Sequence, residues 1–472
     1  YCPQLPFGGD EDYIWSLDGK KVLYVTKAKV GTDYVLSTNT DIYEYDLTSK
    51  KTTNLTEGMM GYDTNPQYSK EGVLAWLSMA HDGNEADKND LYILKDGKRI
   101  NLTANWDNTI FSYRWSNDGK QIYLIAATQG TEQVFVVAPF SKDTTPRQLT
   151  QGVFDVNSIV GQAGDQLVVM RTDMNHAAEL YTINLKEKKG RITLSQLSHF
   201  NDELYKGIAE CPIKERIIKT TDGKRMHAWV IYPPNFDPNK KYPTLLYCQG
   251  GPQSVVSQFY SFRWNFQVMA SQGYIVIAPN RRGLPGFGVE WNAEISGDWG
   301  GQPMRDYLSA IDDIAKEPYV DKDRLGAIGA SYGGYSIYYL AGIHQKRFKT
   351  FIAHCGVFNL QSMYGTTEEL FFNNNEIGGA YWDKKNAVAQ KSYKEFNPIE
   401  KITEWDTPIL IIHGGKDYRV PEEQGFQAFT AAQLRGIKSE LLYFPDENHW
   451  VLQPQNGLLW QRTFFKWLKE TL

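Results

Sequence analysis

The sequence predicts an all-β repeat region followed by a mostly parallel β-sheet covered by helices on both faces. Three observations predict this order. Strands and Asp-Gly turns repeat over residues 1–200, apolar strands then alternate with helical patterns, and a serine between glycines joins one of these strands to a helix. We place the domain boundary near residue 200, which gives a repeat domain of residues 1–200 and a second domain of residues 201–472.

The first domain repeats an aromatic residue, a small polar residue, an acid-glycine turn and an alternating apolar strand. The copies are "YIWSLDGKKVLYVT" (13–26), "PQYSKEGVLAWLSM" (66–79) and "YRWSNDGKQIYLIAAT" (113–128), and each is followed by further strand patterns. A period of about 45 residues with short strands is typical of four-stranded β-propeller blades, a meandering β-sandwich being the alternative. About four blades fit, so we expect a partial propeller that belongs to a larger ring.

The second domain opens with a hairpin over a "TDGK" turn and continues as alternating strands and helices. This alternation indicates a mostly parallel sheet between helices. The predicted strands are 243–248, 273–279, 325–329, 350–355, 408–413 and 439–444. The predicted helices are 302–316, 332–344, 422–435 and 456–471.

Composition excludes several classes of function. A net charge of −5 gives no basic surface for nucleic acid, and no run approaches the ~20 apolar residues of a membrane span. The four cysteines are too scattered for a disulfide framework or a CxxC metal site, and we expect no cofactor. The chain starts "YCPQLPFGGD", with no initiator Met, basic n-region or apolar h-region, so we expect that any targeting signal has been removed or lies outside this sequence. Its compartment stays open, periplasmic or secreted being favoured over cytoplasmic, and a homodimer is compatible with the sequence.

A serine between glycines marks one strand–helix junction. The stretch "GASYGGY" places Ser331 between an apolar run and a helical pattern, and it fits G-x-S-x-G. A serine in so tight a turn is strained, and glycines two residues before and after it avoid a collision. This context predicts an α/β hydrolase with Ser331 as the nucleophile. A Gly-rich turn without catalytic function is the alternative.

A serine nucleophile needs a histidine base and an acid that orients it. In α/β hydrolases these follow in the order serine, acid, histidine. Asp417 and His449 each follow an apolar strand further along the chain, so we expect both at the sheet edge that carries Ser331. We predict Ser331, Asp417 and His449 as the catalytic triad, and we expect His413 to support the Asp417 loop.

The motifs as a set resemble the prolyl oligopeptidase family of serine peptidases, in particular its acylaminoacyl-peptidase and dipeptidyl-peptidase V branch. They are "QGGPQS", "NRRGLPGFG", "GDWGGQPMRDYLSAIDDI", "GASYGGY", "HGGKDYRVP" and "ENH", and the repeated "WSxDGK" is similar to that family's propeller. The resemblance implies the same triad, with the N–H groups of Gly251 and Tyr332 as the oxyanion hole. Gln249 departs from the aromatic residue or histidine that many members have before Gly-Gly-Pro.

The substrate-binding residues are predicted less directly. By the resemblance, Arg419 binds the carbonyl of the penultimate residue, and a surface arginine paired with Glu422 or Glu423 is the alternative. Glu85, in the acidic loop "HDGNEADKND", is a candidate for holding a free substrate N-terminus, although a solvated turn has the same composition. Five residues that follow strand ends are predicted either to line an apolar S1 pocket or to be core: Val357, Phe358, Met363, Tyr364 and Val420.

We therefore expect a serine exopeptidase that acts on short peptides through an acyl-enzyme and releases dipeptides from the N-terminus, with the propeller restricting entry. The alternatives are an acylaminoacyl peptidase, a carboxylesterase with the same chemistry, and a non-catalytic propeller scaffold.

Overall fold

The structure is a computed structural model, in which residues 2, 8–186 and 193–472 are described. It divides into two compact units. Unit 1 comprises Tyr1–Asp173, Ala177–Asn201 and Pro285–Val289, and unit 2 comprises Met174–His176, Asp202–Leu284 and Glu290–Leu472. Two short segments therefore belong to a different unit from their neighbours in the sequence: Met174–His176 is part of unit 2, and Pro285–Val289 is part of unit 1. Asn175 exchanges two hydrogen bonds with the backbone of Cys211 in unit 2, and Gly286 O accepts from Gln129 N in unit 1.

Unit 1 contains four antiparallel sheets of four strands, each in chain order, which confirms the predicted propeller blades. The first two sheets are β1–β4 (Tyr13–Trp15, Lys21–Thr26, Asp41–Asp46, Thr52–Asn54) and β5–β8 (Asp63–Tyr68, Leu74–Ser78, Asp90–Lys95, Lys98–Asn101). The next two are β9–β12 (Ser112–Trp115, Ile122–Thr128, Thr131–Val137, Arg147–Gln148) and β13–β16 (Asp155–Ala163, Gln166–Asp173, His176–Asn184, Leu194–Gln196). A 3-10 turn (Asp10–Asp12) and the short helix α1 (Thr32–Leu36) complete the unit.

The repeated "WSxDGK" element is a self-contained turn. Ser16 Oγ donates to Asp18 Oδ1 at 2.7 Å, and Ser116 Oγ donates to Asp118 Oδ1 at 2.7 Å one hundred residues later. Gly119 has a φ of +66°, which few residues other than glycine adopt. The repeat in the sequence is therefore a repeat of turn chemistry, because the same side chains close the same backbone turn.

The cores of unit 1 lie between neighbouring sheets. In β6, Trp76 packs in a cluster with Leu23 and Val25 of the first sheet, whereas Ala75 and Leu77 belong to the cluster shared with the third sheet. Successive side chains of a strand point to opposite faces, so one strand supplies two apolar layers. This explains why the central strands are apolar on both faces.

Unit 2 is built on an eight-stranded sheet of order β17-β18-β20-β19-β21-β22-β23-β24. The pairs β17–β18 and β18–β20 are antiparallel and the others are parallel, as predicted. The strands are β17 (Ile213–Lys219), β18 (Arg225–Ile231), β19 (Tyr242–Cys248), β20 (Ile275–Pro279), β21 (Val320–Ala330), β22 (Thr350–His354), β23 (Ile409–Gly414) and β24 (Ser439–Phe444).

Helices surround this sheet. They are α2 (Asp202–Tyr205), α3 (Phe266–Ser271), α4 (Val289–Ala293), α5 (Gln302–Ile314), α6 (Tyr332–Ala341), α7 (Leu360–Thr366), α8 (Leu370–Glu376), α9 (Ala387–Glu395), α10 (Glu423–Leu434) and α11 (Pro454–Thr471), with a 3-10 helix at Pro398–Glu404. The sequence pattern predicts α5, α6, α10 and α11. It does not predict the other helices of unit 2, which have nine residues or fewer and so carry little 3.6-residue periodicity.

The sheet positions the site through its register. Cys248 pairs with Gly329, Ala330 with His354, and Gly414 with Phe444, so these parallel strands end at one edge. The loops after these ends carry the predicted catalytic residues. Among the described residues, no helix has both the length and the apolar character that a membrane crossing requires.

Candidate active site

Ser331 occupies a strained turn between β21 and α6. Its φ of +59° and ψ of −122° are rare for a residue with a side chain. A Cβ on Gly329 would lie 2.7 Å from the carbonyl oxygen of Cys248, and a Cβ on Gly333 would lie 2.0 Å from the same atom. Both glycines are thus required by close backbone packing, which agrees with the sequence argument for G-x-S-x-G.

Asp417 and His449 form a short, buried hydrogen bond. His449 Nδ1 lies 2.6 Å from Asp417 Oδ2, and the backbone N–H groups of Arg419 and Val420 donate to Asp417 Oδ1 at 3.1 and 2.9 Å. The carboxylate is therefore held on one side by the backbone and on the other by the imidazole. His413 Nε2 lies 2.7 Å from the carbonyl oxygen of Val420, in the loop-supporting position that the sequence predicts.

A second carboxylate fixes the loop of His449. Glu447 is buried and accepts from the backbone N–H groups of Leu452 and Gln453 and from Asn456 Nδ2 at 2.7 to 3.0 Å. Glu447 is thus bound by the residues that follow His449, whereas Asp417 is the carboxylate that contacts the His449 ring.

The free ring nitrogen of His449 faces a cysteine. Nε2 lies 3.8 Å from Cys355 Sγ, and the Ser331 hydroxyl makes no hydrogen bond to His449 in the described part of the chain. Hydrogen bonds between a catalytic serine and its histidine are often long when no substrate is bound. Burial by itself would lower the pKa of His449, but the sulfur of Cys355 and the carboxylate of Asp417 raise it above the usual value.

The loop after β19 packs directly against the serine turn. A Cβ on Gly250 would lie 2.9 Å from the carbonyl oxygen of Ala330 and 3.4 Å from Ser331 Cβ. The next residue, Gly251, has a φ of +112°, which requires glycine. The side chain of Gln249 is turned into the loop, where Tyr247 OH donates to it and it donates to Ser254 Oγ. Gln249 therefore supports the loop.

A buried arginine donates hydrogen bonds to the backbone of this loop. Arg281 is 0% exposed and donates to the carbonyl oxygens of Gln249 and Pro252 at 3.2 and 3.0 Å. Its guanidinium also lies 4.5 Å from the ring centroid of Tyr332. One side chain thus ties together the two segments that carry the predicted oxyanion donors.

Arg419 is paired, but with a residue that the sequence reasoning missed. Its Nε and a terminal nitrogen both lie 2.7 Å from Glu369 Oε1, and its guanidinium lies 5.0 Å from the ring of Trp450. Glu422 contacts Tyr443 OH, and Glu423 Oε1 accepts from the hydroxyls of Ser362 and Thr366. Burial raises the pKa of Glu369, and the charge of Arg419 opposes that shift.

The five S1 candidates are all buried: Val357, Phe358, Met363, Tyr364 and Val420. Phe358 packs between Tyr338 and Trp405 at centroid distances of 5.6 and 5.7 Å, which favours the core reading for this residue. Tyr364 OH donates to Asn374 and its ring lies 5.3 Å from Trp382, so its surroundings are more polar. Glu85 lies in unit 1, in the loop between β6 and β7, apart from the residues above in the chain.

Known proteins match this chain over its whole length. The model of the prolyl oligopeptidase family matches residues 260–472. Dipeptidyl-peptidase 5 of Porphyromonas gingivalis is 50% identical over 474 aligned residues, covering 100% of this chain and 68% of that protein. The chain belongs to the prolyl oligopeptidase family. A fission-yeast relative, dipeptidyl-peptidase 5 of Schizosaccharomyces pombe, is 32% identical over 99% of this chain and 66% of its own length.

Solved structures share the fold. Pyrococcus horikoshii acylaminoacyl peptidase superimposes with a TM-score of 0.83 at 20% identity, over 98% of this chain and 70% of that one. The family member described here is a serine peptidase with an α/β-hydrolase unit preceded by propeller blades, as the sequence predicts.

Three residues beside the site escaped the sequence reasoning as functional candidates. Arg281 stands inside the quoted motif "NRRGLPGFG", and Glu369 stands in the polar run "TTEEL", but their partners lie far away in sequence. Cys355 is buried, and its contact with His449 spans 94 residues. Only the folded sheet brings these groups together.

Proposed function

We propose that this serine peptidase releases dipeptides from the N-termini of short peptides by an acyl-enzyme mechanism. The observation that carries the proposal is the 2.6 Å contact between His449 Nδ1 and Asp417 Oδ2, at the same sheet edge as the strained Ser331 turn. The dipeptide step is supported by the name of the P. gingivalis relative, which is 50% identical over this whole chain.

In the proposed mechanism, Ser331 Oγ attacks the carbonyl carbon of the second residue of the substrate. His449 Nε2 takes the serine proton and then gives it to the departing amine. Asp417 holds the proton on Nδ1, so that Nε2 keeps the lone pair that accepts. Water attacks the resulting ester by the same route and releases the dipeptide. We expect the Ser331–His449 contact to tighten when substrate binds.

The oxyanion is held by two backbone donors in this proposal. Tyr332 is the first residue of α6, where an N–H has no partner within the helix, and Gly251 supplies the second donor from the loop after β19. Arg281 fixes both segments, so the donors are in place before charge develops.

Arg419 is the proposed reader of the penultimate carbonyl. Glu369 accepts from one edge of its guanidinium, and Trp450 lies against the group, so its conformation is restricted before substrate arrives. A planar guanidinium has N–H donors in a fixed plane, a geometry suited to binding a carbonyl oxygen. The N-terminal residue of a dipeptidyl substrate carries that carbonyl.

The proposal is tested with one dipeptide arylamide in two forms, with a free and with an acetylated N-terminus. We expect cleavage of the free form, and mass spectrometry of longer peptides should show successive loss of dipeptides. Ser331→Ala is the matched control for background hydrolysis. Preference for the acetylated form would identify an acylaminoacyl peptidase instead, and turnover of aryl esters alone would identify a carboxylesterase.

A further inference from the structure

Cys355 lies against the nitrogen of His449 that Asp417 leaves free. Its Sγ is 3.8 Å from Nε2 and 3.7 Å from the carbonyl oxygen of His449. The ligand atoms of Cys355, Asp417 and His449 all lie within 4.8 Å of one another, and all three residues are buried. The thiol therefore shares the face of the imidazole that the proposed mechanism uses.

The backbone at Cys355 is unusual. It follows the last residue of β22 and has a φ of +41°, in the left-handed region that disfavours residues with a side chain. Its N–H is held by the carbonyl oxygen of Ile412 at 2.8 Å, so the turn is fixed by the sheet. Strained residues are common at functional sites, and here the strained residue places its thiol next to the proposed base.

We propose that Cys355 Sγ and His449 Nε2 form an inhibitory site for a thiophilic divalent cation, with Zn²⁺ as the representative. Zinc bonds of about 2.3 Å to sulfur and about 2.0 Å to nitrogen at a tetrahedral angle place the two ligand atoms about 3.6 Å apart. The 3.8 Å separation meets this requirement with little movement. On binding, the thiol loses its proton to solvent, as does Nε2 wherever the imidazole is protonated, and the sulfur and nitrogen lone pairs coordinate the ion.

Asp417 completes the arrangement from the far side of the ring. A metal-bound histidine commonly donates its other N–H to a carboxylate, which orients the ring and strengthens the bond to the metal. Asp417 Oδ2 already accepts from Nδ1 at 2.6 Å. The sulfur and imidazole ligands select Zn²⁺ or Cd²⁺ over the oxygen-seeking Mg²⁺ and Ca²⁺.

The site would block the peptidase by occupying the lone pair of Nε2. That consequence rests on the proposed function, in which His449 is the base, but binding of the ion does not. Two other buried cysteines serve as controls, because Cys211 Sγ contacts the carbonyl oxygen of Gln267 and Cys248 ends β19. Among the described residues, neither of these thiols is hydrogen-bonded to a histidine nitrogen.

Binding is measured with Co²⁺, whose bond to a thiolate gives a charge-transfer absorption band, on the full chain. We expect the band in the parent protein and in Ser331→Ala, which lacks the nucleophile but keeps both ligands. The band should be lost in Cys355→Ser and kept in Cys248→Ala. A band that survives Cys355→Ser, or one that is absent from the parent protein, would overturn the site.

Inhibition is measured with buffered Zn²⁺ on a dipeptide arylamide, each variant being compared with its own metal-free activity. We expect Cys355→Ala, or Cys355→Ser if the alanine variant does not fold, to raise the half-inhibitory Zn²⁺ concentration at least roughly 10-fold. Cys248→Ala should leave it unchanged, and Mg²⁺ should not inhibit. Equal inhibition of all variants would refute the inhibitory role. If no peptidase activity is found, the proposed function fails, and the Co²⁺ band still decides the site.

Discussion

Asp63 in unit 1 and Asp417 in unit 2 are both buried, but they have different surroundings. Asp63 accepts from the indole N–H of Trp76 at 3.0 Å, and burial raises its pKa to about 7. Asp417 accepts from two backbone N–H groups and from an imidazole. The first carboxyl joins two strands of a blade, whereas the second is arranged to hold a base. A buried aspartate by itself is thus no sign of catalysis, and its donors distinguish the two cases.

The two units also differ in where the backbone is strained. In unit 1, non-glycine residues with positive φ stand in the turns and strands of the blades, such as Asp96 and Gln129. In unit 2, Asn235, Gln345 and Lys346 likewise have positive φ in turns, but Ser331 and Cys355 have it at the ends of neighbouring central strands. Strained residues persist only where the surrounding structure enforces their conformation, and at buried strand ends the packed sheet does this.

The largest effect on hydrolysis is expected when the serine of the candidate site is replaced, and a serine in a blade turn serves as the comparison. Ser331→Ala should reduce hydrolysis at least roughly 10⁴-fold and abolish labelling by a fluorophosphonate, with an unchanged thermal unfolding curve, because it removes the nucleophile and no packing. Ser116→Ala, the matched change in a blade turn, should leave kcat/KM unchanged. Full labelling of Ser331→Ala would reassign the nucleophile.

Asp417→Asn should have the second-largest effect on hydrolysis. The amide cannot hold the same tautomer of His449, so kcat should fall roughly 10⁴-fold, while Asp118→Asn in a blade turn should not alter it. The check is single-substrate kinetics with both variants. Near-normal turnover of Asp417→Asn would mean that another group orients the base.

Arg419→Ala tests the substrate reader. Loss of a charge-assisted hydrogen bond worth about 1.5–3 kcal/mol should lower kcat/KM on dipeptide arylamides about 10- to 150-fold. An aryl acetate has no penultimate carbonyl and should be hydrolysed as before. Arg347→Ala is the control, because Arg347 forms a surface pair with Asp312 at 2.7 Å. Equal losses on both substrates would show that Arg419 only supports the Asp417 loop.

Glu369→Gln should have a smaller effect of the same kind. The amide keeps the size of Glu369 but removes the charge that holds Arg419, so we expect a loss on dipeptide substrates mainly in KM and none on the aryl acetate. The measurement is the separate change of kcat and KM. A fall in kcat with both substrates would place Glu369 in support of the triad and not of Arg419.

The sequence predicts the parts of this molecule that depend on local pattern. The blade turns, the central strands and the order serine, acid, histidine are all read from residues close together in the chain, and the sheet register then gathers the strand ends. Short helices and pairs of residues that are far apart in the chain cannot be predicted in this way. The Glu369–Arg419 pair spans 50 residues and Cys355–His449 spans 94, so neither has a local signal.

Arg419 shows that the partner of a side chain can lie far from it in the sequence, since its ion pair is with Glu369. Glu422 and Glu423 are near Arg419 in sequence, at the N-terminal end of α10, and their carboxylates contact hydroxyl groups of other elements, Tyr443 in β24 and Ser362 and Thr366 in α7. Nearness in the chain does not imply contact where a helix starts, because the helix turns successive side chains in different directions.

The smallest effect on hydrolysis, and a clear one on stability, is expected from Asp63→Asn. The folded pKa of Asp63 is about 7, above the ordinary value of 3.8, so its favourable contribution is present below pH 4 and is lost as the pH rises through 7. Asparagine does not ionise, so at pH 8 the variant should be more stable than the parent by on the order of 2 kcal/mol, and this difference should shrink or reverse at pH 4. Calorimetry of the full chain at both pH values measures it, with the exposed Asp143→Asn as the control. A difference that does not change with pH would mean that Asp63 is ionised in the folded protein, and the contrast with Asp417 would then have to be drawn from geometry alone.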